Sequence, residues 1–440
     1  MSLWEAGSDG MVQINSLLIA FLVVYGIRSF FQGVLSRLNI QHLRRYGGNV
    51  PGAFGDMVDH ERLARISAYT ADSARFGLVS SLLSQLLILL ILLSGYLPEL
   101  VQRLTLWISN PISAGVIFFA LLAIVFNLPQ IPLSLYETFV IEERHGFNTK
   151  TLGIWFFDLI KGTALSAILG GIVLFLILIL INSLRQTWWI WGWIVLTIFQ
   201  GLILWLYPVV IAPWFNRFEP ITDKVLECRI RRLMKEANLS VKGVFQMDAG
   251  KRSRHTNAYF TGLSRTKRIV LFDTLLDSHT EDEILAILSH EIGHWQKGHI
   301  IKQLVLLETI SLFGLFVVAR LIEWPLLYQT FGFHEPVPYA GLFLTSLLIG
   351  LVGYFLRPLE SAIVRGFERQ ADEAAMALMG TTEYLSQALR KLAVDNLANL
   401  NPHPLYAWFY YSHPPVVDRI ERLARMERKK DYNEAEPAAI

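Results

Sequence analysis

The sequence is poor in cysteine and in charged residues. Its 440 residues include a single cysteine, Cys228, so the chain cannot form an intramolecular disulfide or a cage of thiolate ligands. A transition metal bound here must therefore use imidazole and carboxylate ligands. Only 17% of the residues are charged, whereas 53% are hydrophobic. This balance excludes an ordinary soluble protein and indicates that lipid is the solvent for much of the chain.

The net charge is also small. A formal charge of +2 gives no indication of nucleic-acid binding, and we expect no such partner. Twelve Trp and 27 Phe instead fit aromatic belts at the two surfaces of a bilayer. The N-terminus carries Glu5 and Asp9 but no basic residue and no small-residue cleavage site. The first apolar stretch is therefore predicted to be a retained membrane helix and not a removable signal peptide.

Seven apolar windows are long enough to cross about 30 Å of hydrocarbon. The third window is the least regular, because Asn110, Pro111, Asn127 and Pro129 interrupt or bound it. We divide the chain into membrane helices one to five (1–212), a polar segment (213–302), membrane helices six and seven (303–357) and a polar C-terminal segment (358–440). The predicted spans are 13–35, 77–97, 107–129, 162–182, 187–211, 303–325 and 338–356.

The distribution of Lys and Arg predicts the orientation in the membrane. Basic residues follow the first and fifth spans and fill the C-terminal segment, whereas the N-terminus and the links after spans two, four and six have few. The positive-inside rule places the basic segments in the cytoplasm and the N-terminus outside. Since spans six and seven form a hairpin, both polar segments are expected on one side. The first basic segment contains Arg37, Arg44, Arg45, Arg62, Arg65 and Arg75.

An H-E-x-x-H motif lies in the first polar segment, at residues 290–294. Apolar periodicity before it, with Thr280 as N-cap, predicts a helix. Residues four apart share a helix face, so His290 and His294 can bind one tetrahedral Zn²⁺ while Glu291 lies beside the open position. Glu291 can then take a proton from the attacking water and pass it to the leaving amine. We expect one zinc ion per chain.

The third metal ligand must come from elsewhere, because no histidine follows at the spacing of longer zinc motifs. Glu368 is the best candidate, since its predicted helix leaves span seven on the same side of the membrane as His294. Asp372, one helical turn later, can accept the outer N–H of a ligating histidine. The alternative is a solvated helix face on which both carboxylates are merely exposed.

Over most of its length the chain resembles the type I CAAX prenyl proteases, which are seven-span zinc metalloendopeptidases of the gluzincin type. This resemblance implies an all-α polytopic membrane protein, with about seven helices enclosing a chamber and a small α+β gluzincin-like zinc protease domain. It also implies His290, His294 and Glu368 as zinc ligands and Glu291 as base. The matching motifs are ETFVIEERHGF (137–147), PWFNRFEPI (213–221), MDAGKRSRHTNAYFTG (247–262), RIVLFDTLL (268–276), SHEIGHWQKGH (289–299), FERQAD (367–372) and YYSHPP (410–415).

The resemblance suggests further site residues. Asn257, Ala258 and Tyr259 match an edge strand that binds the substrate backbone by strand addition, although Asn257 is equally a residue type of turns. By analogy His413 donates a hydrogen bond to the oxyanion, the alternative being a structural surface histidine. Arg365 can orient a carboxylate near the zinc, or simply be a helix-end cation that meets lipid headgroups.

A charged loop next to the membrane allows two interpretations. Glu142 and His145 together could be taken for a second metal site, but we favour a salt-bridged cap on the chamber. Intramembrane cleavage of transmembrane helices is disfavoured, because Gln296, Lys297 and His299 closely follow the zinc motif. A transporter or channel with a structural zinc is a further alternative, but the buried polar groups expected along a conduction path are sparse: Glu308 and Arg320 in span six are the main cases.

The predicted function is hydrolysis of peptide bonds in membrane-associated or lipidated substrates. The resemblance implies removal of the C-terminal tripeptide from prenylated CAAX proteins. In an organism without prenylation, the same chemistry would serve quality control of membrane proteins. We expect a monomeric, multi-pass protein with its active site toward the cytoplasm. Its location would be the inner membrane of a bacterium or the endoplasmic reticulum membrane of a eukaryote.

Overall fold

The N-terminal half of the chain is helical. The structure, a computed structural model, describes residues 11–262 and 268–435. Short π-helical turns at Glu137–Glu142 and Tyr207–Ile211 continue two of the helices. In chain order the helices are α1 (Ser16–Tyr46), α2 (His60–Leu93), α3 (Tyr96–Trp107), α4 (Pro111–Asn127), α5 (Gln130–Tyr136), α6 (Leu152–Ser183), α7 (Trp188–Leu206) and α8 (Ala212–Phe215).

The remaining part combines a small sheet with further helices. The first polar segment contains β1 (Phe218–Pro220), α9 (Lys224–Glu236), β2 (Gly243–Met247), β3 (Ala258–Thr261), β4 (Arg268–Phe272), α10 (Asp273–Ser278) and α11 (Glu281–Gln296). The chain continues with α12 (His299–Leu321), α13 (Pro325–Thr330), α14 (Pro338–Met379), α15 (Glu383–Asp395), α16 (Pro404–Tyr410) and α17 (Val416–Ala435).

Seven of the described helices, counting continued ones as single spans, are long and apolar enough to cross a membrane. They confirm the predicted number of spans and the all-α membrane architecture with a small α+β part. Large side chains such as Phe157, Ile198 and Phe313 are mostly exposed on them, which indicates contact with lipid. The spans are Ser16–Tyr46, His60–Leu93, Pro111–Glu142, Leu152–Ser183, Trp188–Phe215, His299–Leu321 and Pro338–Met379.

The bounds of the third span differ from the prediction of 107–129. The Asn110 side chain caps α4 by accepting hydrogen bonds from the N–H groups of Ile112 and Ser113, so the span begins at Pro111 and not at 107. It also continues past Pro129 to Glu142. Pro129 lies between α4 and α5, at the start of a helix, where the missing N–H removes no helical hydrogen bond.

The two polar segments meet on one side of the helical bundle. At the other end, Asn15 Nδ2 donates to Thr330 Oγ1 over 2.9 Å, which joins the start of α1 to the connection between spans six and seven. At the end where the two polar segments meet, α11 packs against the last turns of α14. This arrangement confirms the predicted hairpin. The division of the chain into four segments stays a prediction.

The sheet lies in the first polar segment and has the order β1-β2-β4-β3. Strands β2 and β4 are parallel, and the outer strands pair antiparallel to them. The end of the sheet formed by β3 contacts α11. Strand β3 therefore exposes one edge beside the helix that carries the H-E-x-x-H motif.

Helix α11 is buried on almost all sides. Leu288 and Ile292 pack into the core under the sheet, whereas Ala286 faces a second core formed with α15 and α17. Gly293 faces α14: a Cβ there would lie 2.9 Å from Ala371 Cα and 2.9 Å from Ala374 Cβ. The absence of a side chain at residue 293 thus lets the two helices approach closely.

Replacing Gly293 with Ala should force α11 and α14 apart. Overpacking of this kind costs about 1–3 kcal/mol, so the midpoint of thermal unfolding in detergent should fall. The content of bound metal, measured by atomic emission, should fall with it. Gly353→Ala is the matched control, because a Cβ at residue 353 in α14 meets no atom within 4 Å. Equal behaviour of the two variants would contradict the close-packing argument.

Candidate metal centre

The start of α11 is held by several polar contacts. The Thr280 hydroxyl accepts from the N–H of Glu283, and the Glu283 carboxylate accepts from the N–H of Thr280, forming a capping box. Lys391 on α15 donates to the same carboxylate over 2.7 Å. Arg229 on α9 pairs with Glu281 and Asp282. These contacts fix both the beginning and the orientation of α11, and so place its H-E-x-x-H turns.

Three side chains from two helices converge on one point. The Nε2 atoms of His290 and His294 on α11 lie 3.2 Å apart. Glu368 on α14 places Oε2 at 3.4 Å from His290 Nε2 and Oε1 at 3.3 Å from His294 Nε2. One ligand atom from each of the three residues lies within 4.8 Å of the others. The structure therefore brings together the three predicted ligands from segments on either side of a membrane hairpin.

The outer nitrogen of His290 faces Asp372. Its Nδ1 lies 2.9 Å from Asp372 Oδ1. Arg419 on α17 approaches the same nitrogen at 2.9 Å but also donates to Asp372 Oδ1 over 2.6 Å. A ring nitrogen cannot donate to Asp372 and accept from Arg419 at the same time. We therefore assign the proton to His290 Nδ1, which donates to Asp372. Nε2 of His290 is then an acceptor that faces Glu368, and Arg419 Nη2 also lies 3.2 Å from it.

The outer nitrogen of His294 has a different partner, His299. The two Nδ1 atoms are 3.1 Å apart, and His299 Nε2 lies 3.1 Å from Gln370 Oε1. The amide oxygen of Gln370 can only accept, so Nε2 of His299 carries its proton and Nδ1 accepts from His294. Phe367 stacks on the His299 ring at 4.4 Å. Both ligand histidines therefore have Nε2 unprotonated on the side that faces Glu368.

These residues fit a bound metal ion. With the tautomers assigned above, two imidazole lone pairs and a carboxylate face one another without a ring proton between them. Glu368 is buried and its Oε2 has no hydrogen-bond partner among the described residues. A cation would satisfy all of these acceptors at once. Two histidines and one glutamate leave a fourth tetrahedral position open, as in catalytic zinc sites.

Arg419 is a site residue that the sequence analysis missed. Its guanidinium is buried between Asp372 and Glu368, with Nη1 at 3.6 Å from Glu368 Oε2. Burial works to lower the pKa of Arg419, but the facing Asp372 carboxylate raises it by more, so the guanidinium stays charged. Arg419 thus balances the two carboxylates that surround the histidines.

Two predicted catalytic side chains lie at the same place. Glu291 follows His290 directly, and burial raises the pKa of its carboxyl, which suits a base that works near neutral pH. His413 Nε2 lies 3.3 Å from Glu368 Oε1, while most of the His413 ring is exposed. Burial of the inner part lowers the pKa of this imidazole. The roles of Glu291 as base and of His413 as oxyanion donor stay predictions.

The predicted substrate strand is an edge strand in the structure. Ala258 and Tyr259 belong to β3, and Asn257 precedes it with an exposed side chain. Just before β3, His255 stacks on Phe147 at 3.9 Å and lies 3.4 Å from Glu142. The strand beside α11 is thereby fixed to the loop that follows span three.

That loop has ionic contacts but no metal-binding arrangement. His145 Nε2 lies 3.0 Å from Asp72, and Glu142 accepts a hydrogen bond from Tyr69 over 2.7 Å. Within the described chain, only His290, His294 and Glu368 form a group of at least three His, Cys, Asp or Glu residues that could share an ion. The ion-paired interpretation of the Glu142–His145 loop agrees with these contacts.

Arg365 is already occupied by backbone carbonyl groups. Its Nη1 donates to Trp408 O over 3.2 Å and to Tyr411 O over 2.6 Å. The guanidinium therefore ties the end of α16, two residues before His413, to α14. A contact between Arg365 and a substrate carboxylate stays a prediction.

Comparisons with known families agree with this fold and site. Residues 39–217 match the model of the CAAX prenyl protease N-terminal part, described as five membrane helices. Residues 220–427 match the model of peptidase family M48. Together they define an integral, multi-pass membrane metalloprotease with a metal cofactor and a peptide substrate. The zinc motif lies in α11, which is not one of the spans, so the intramembrane alternative is disfavoured.

Named relatives narrow the class. The chain is 33% identical over 392 residues to "CAAX prenyl protease 1 homolog" of Oryza sativa subsp. japonica, covering 87% of this chain and 92% of the relative. It is 33% identical over 410 residues to "CAAX prenyl protease 1" of Saccharomyces cerevisiae (87% and 90%). The chain belongs to the CAAX prenyl protease family, and it is a metalloprotease of that type.

A solved structure shares the whole architecture. The crystal structure of S. mikatae Ste24p superposes with a TM-score of 0.87 at 29% sequence identity, covering 93% of this chain and 100% of that chain. The likeness therefore covers the membrane helices as well as the two polar segments. It favours the enzyme over the transporter or channel alternative.

Exchanging Asp372 for Asn should weaken metal binding. The change removes the charge that orients His290 and pairs with Arg419, and loss of such a partner lowers metal affinity about 10–100-fold. Competition with a chelator measures the affinity. Glu373→Ala is the control, because Glu373 is exposed and pairs with Arg422 at the surface. Wild-type zinc affinity in Asp372→Asn would show that Asp372 does not support the site.

Proposed function

We propose that this protein is a zinc endopeptidase that removes the C-terminal tripeptide from prenylated CAAX proteins. The observation that carries the chemistry is the convergence of His290, His294 and Glu368 beside Glu291. The substrate class comes from the relatives, which are named for CAAX prenyl proteins. We further propose that one zinc ion is bound per chain.

The mechanism assigns a separate task to each side chain. His290, His294 and Glu368 would hold Zn²⁺, which when bound would polarise the scissile carbonyl and acidify the attacking water. Glu291 accepts the proton of that water and then delivers it to the leaving amine. Asp372, Arg419 and His299 keep the ligand side chains in the required tautomers and orientations.

Two further groups act on the substrate. Strand β3 begins with Ala258 and Tyr259, and Asn257 precedes it directly. This segment binds the backbone of the peptide as an additional strand, which places the scissile bond beside α11. His413 donates a hydrogen bond to the oxyanion that forms when water attacks the carbonyl. Its mostly exposed ring next to Glu368 supports this role.

The surroundings of the site follow from the basic segments. We propose that the site faces the cytoplasm, that the spans enclose a chamber reached by the lipidated substrate, and that the chain works as a monomer. The membrane would be the endoplasmic reticulum of a eukaryote or the inner membrane of a bacterium. Residues such as Arg44, Arg45 and Lys302 lie at the predicted cytoplasmic end.

Substituting Glu291 with Gln should abolish hydrolysis and leave zinc in place. The amide keeps the size of the side chain but cannot accept the proton, so kcat should fall by about 10²–10⁴-fold or more. Zinc content and peptide hydrolysis are measured on the same sample. Glu236→Gln is the matched control, because Glu236 is exposed at the end of α9 and pairs with Arg232 on the same helix. Retained hydrolysis in Glu291→Gln would remove the proposed base.

A pair of peptides tests the substrate class. A farnesylated CAAX peptide should be cleaved with a much higher kcat/KM than the same peptide without the lipid, because burial of apolar carbon contributes about 25 cal/mol per Å². Mass spectrometry should show a released tripeptide. Equal turnover of both peptides would favour a general membrane quality-control protease that uses the same metal chemistry.

A further inference from the structure

Two arginines in or at the ends of predicted membrane spans have no anionic partner. Arg28 lies inside the first predicted span, 13–35, and Arg357 lies one residue beyond the seventh, 338–356. Within the described chain, neither guanidinium forms a hydrogen bond or a salt bridge. The Nε of Arg28 is buried and has no partner there. Charged groups at such depth are costly, and they usually mark functional sites.

The two guanidinium groups converge on one pair of tyrosines. Arg28 Cζ lies 5.2 Å from the centre of the Tyr354 ring, and Arg357 Cζ lies 5.0 Å from that of Tyr410. The two phenol oxygens are 2.9 Å apart. Both arginines interact electrostatically with both phenols. Two positive charges therefore share a small region in which the described residues supply only ring faces and hydroxyl groups, and an anion would relieve their repulsion.

The arginine pair lies on the same side of α14 as the metal ligand Glu368. Arg357 and Glu368 are about three turns apart on α14, so they lie on one face of the helix, about 16 Å apart along its axis. Tyr410 precedes His413 by three residues, which limits their separation to about 10 Å. His413 in turn lies 3.3 Å from Glu368. The arginine pair thus lies within reach of the scissile position, toward the membrane.

The separation of Tyr410 from His413, about 10 Å at most, matches the distance from a scissile bond to a substrate's free C-terminus. In a peptide that loses three residues, the terminal carboxylate lies about 10 Å from the scissile carbonyl when extended. We infer that Arg28 and Arg357 form a binding site for the C-terminal carboxylate of the peptide substrate. This inference rests on the proposed function. Guanidinium groups bind carboxylates through paired N–H···O bonds, and the tyrosine hydroxyls can add further donors.

A lipid headgroup phosphate is the other anion that such a pair could bind. The shared face of Arg357 and Glu368 argues against it, because a headgroup site would face the bilayer. Arg357 is exposed, but Arg28 is only partly exposed and lies on the side of α1 that faces Tyr354 on α14. The carboxylate of a substrate already held at the metal centre is therefore favoured.

The test compares peptides that differ only at the C-terminus. A farnesylated CAAX peptide with a free carboxylate and its C-terminal amide are each hydrolysed by purified enzyme. Wild type should prefer the carboxylate by roughly tenfold to a hundredfold in kcat/KM, mainly through KM, as expected for charge-assisted hydrogen bonds. In Arg357→Gln this preference should disappear, because kcat/KM for the carboxylate peptide falls to the value for the amide. The kcat/KM for the amide peptide should stay unchanged. Unchanged amide cleavage also shows that the variant is folded.

Arg320→Gln is the matched control, since Arg320 lies at the far end of span six beside Glu323. It should keep the wild-type preference. Equal cleavage of both peptides by wild type, or an unchanged preference in Arg357→Gln, would overturn the inference. The inference would also be overturned if Arg357→Gln lost cleavage of both peptides in vesicles containing phosphatidylserine but not in pure phosphatidylcholine, because that result would indicate a site for an anionic lipid.

If the proposed function is wrong, the same experiment gives a different outcome. If wild type leaves every prenylated peptide intact but cuts an unprenylated one, the proposed substrate class is wrong. The carboxylate and amide forms of the peptide that is cut are then compared in the same variants. A preference that depends on Arg357 would still support the arginine site, and its absence would reject it.

Discussion

The close packing of α11 against α14 is the constraint on which the metal centre depends. These helices come from segments separated by a membrane hairpin, yet their side chains must meet within a few ångströms. Gly293 makes this possible, because a Cβ there would lie 2.9 Å from the backbone of Ala371. One turn away on each helix are His290 and Glu368. The residue that permits the contact lies inside the H-E-x-x-H motif itself, so packing and chemistry are encoded together.

The charges at this contact are balanced as a group. Glu368 and Asp372 are almost fully buried, and Arg419 lies between them. Breaking a buried ion pair by removing one partner costs about 3–5 kcal/mol, because the remaining charge stays buried. Arg419 and a bound cation would together offset the two carboxylates and Glu291. Without a bound cation, Arg419 alone offsets only part of the negative charge of the three carboxylates. This remaining negative charge favours binding of a divalent ion.

The sequence predicted the metal ligands more completely than it predicted the residues that support them. H-E-x-x-H spacing and the alternation of basic segments made Glu368 the best candidate for the third ligand, and the family resemblance implied the same residue. Arg419 was missed because a single arginine in a charged C-terminal helix is an unremarkable pattern. Its signal was its position among Val416, Ile420 and Leu423, the apolar face of α17. The bounds of span three were wrong because Pro129 was taken as a helix end, although proline is compatible with a first helical turn.

The membrane helices also position the substrate strand. Arg252, just before β3, makes a bidentate pair with Asp158 at the start of α6, with both N–O distances 3.0 Å. His255 adds its contact with Glu142; burial works to lower the pKa of His255, but hydrogen bonds to Glu142 and Asn396 raise it overall. The edge strand is thus held by spans three and four, whereas the metal ligands depend on span seven. A peptide bound between them would contact both parts of the membrane domain, so the spans align the substrate as well as anchor the enzyme.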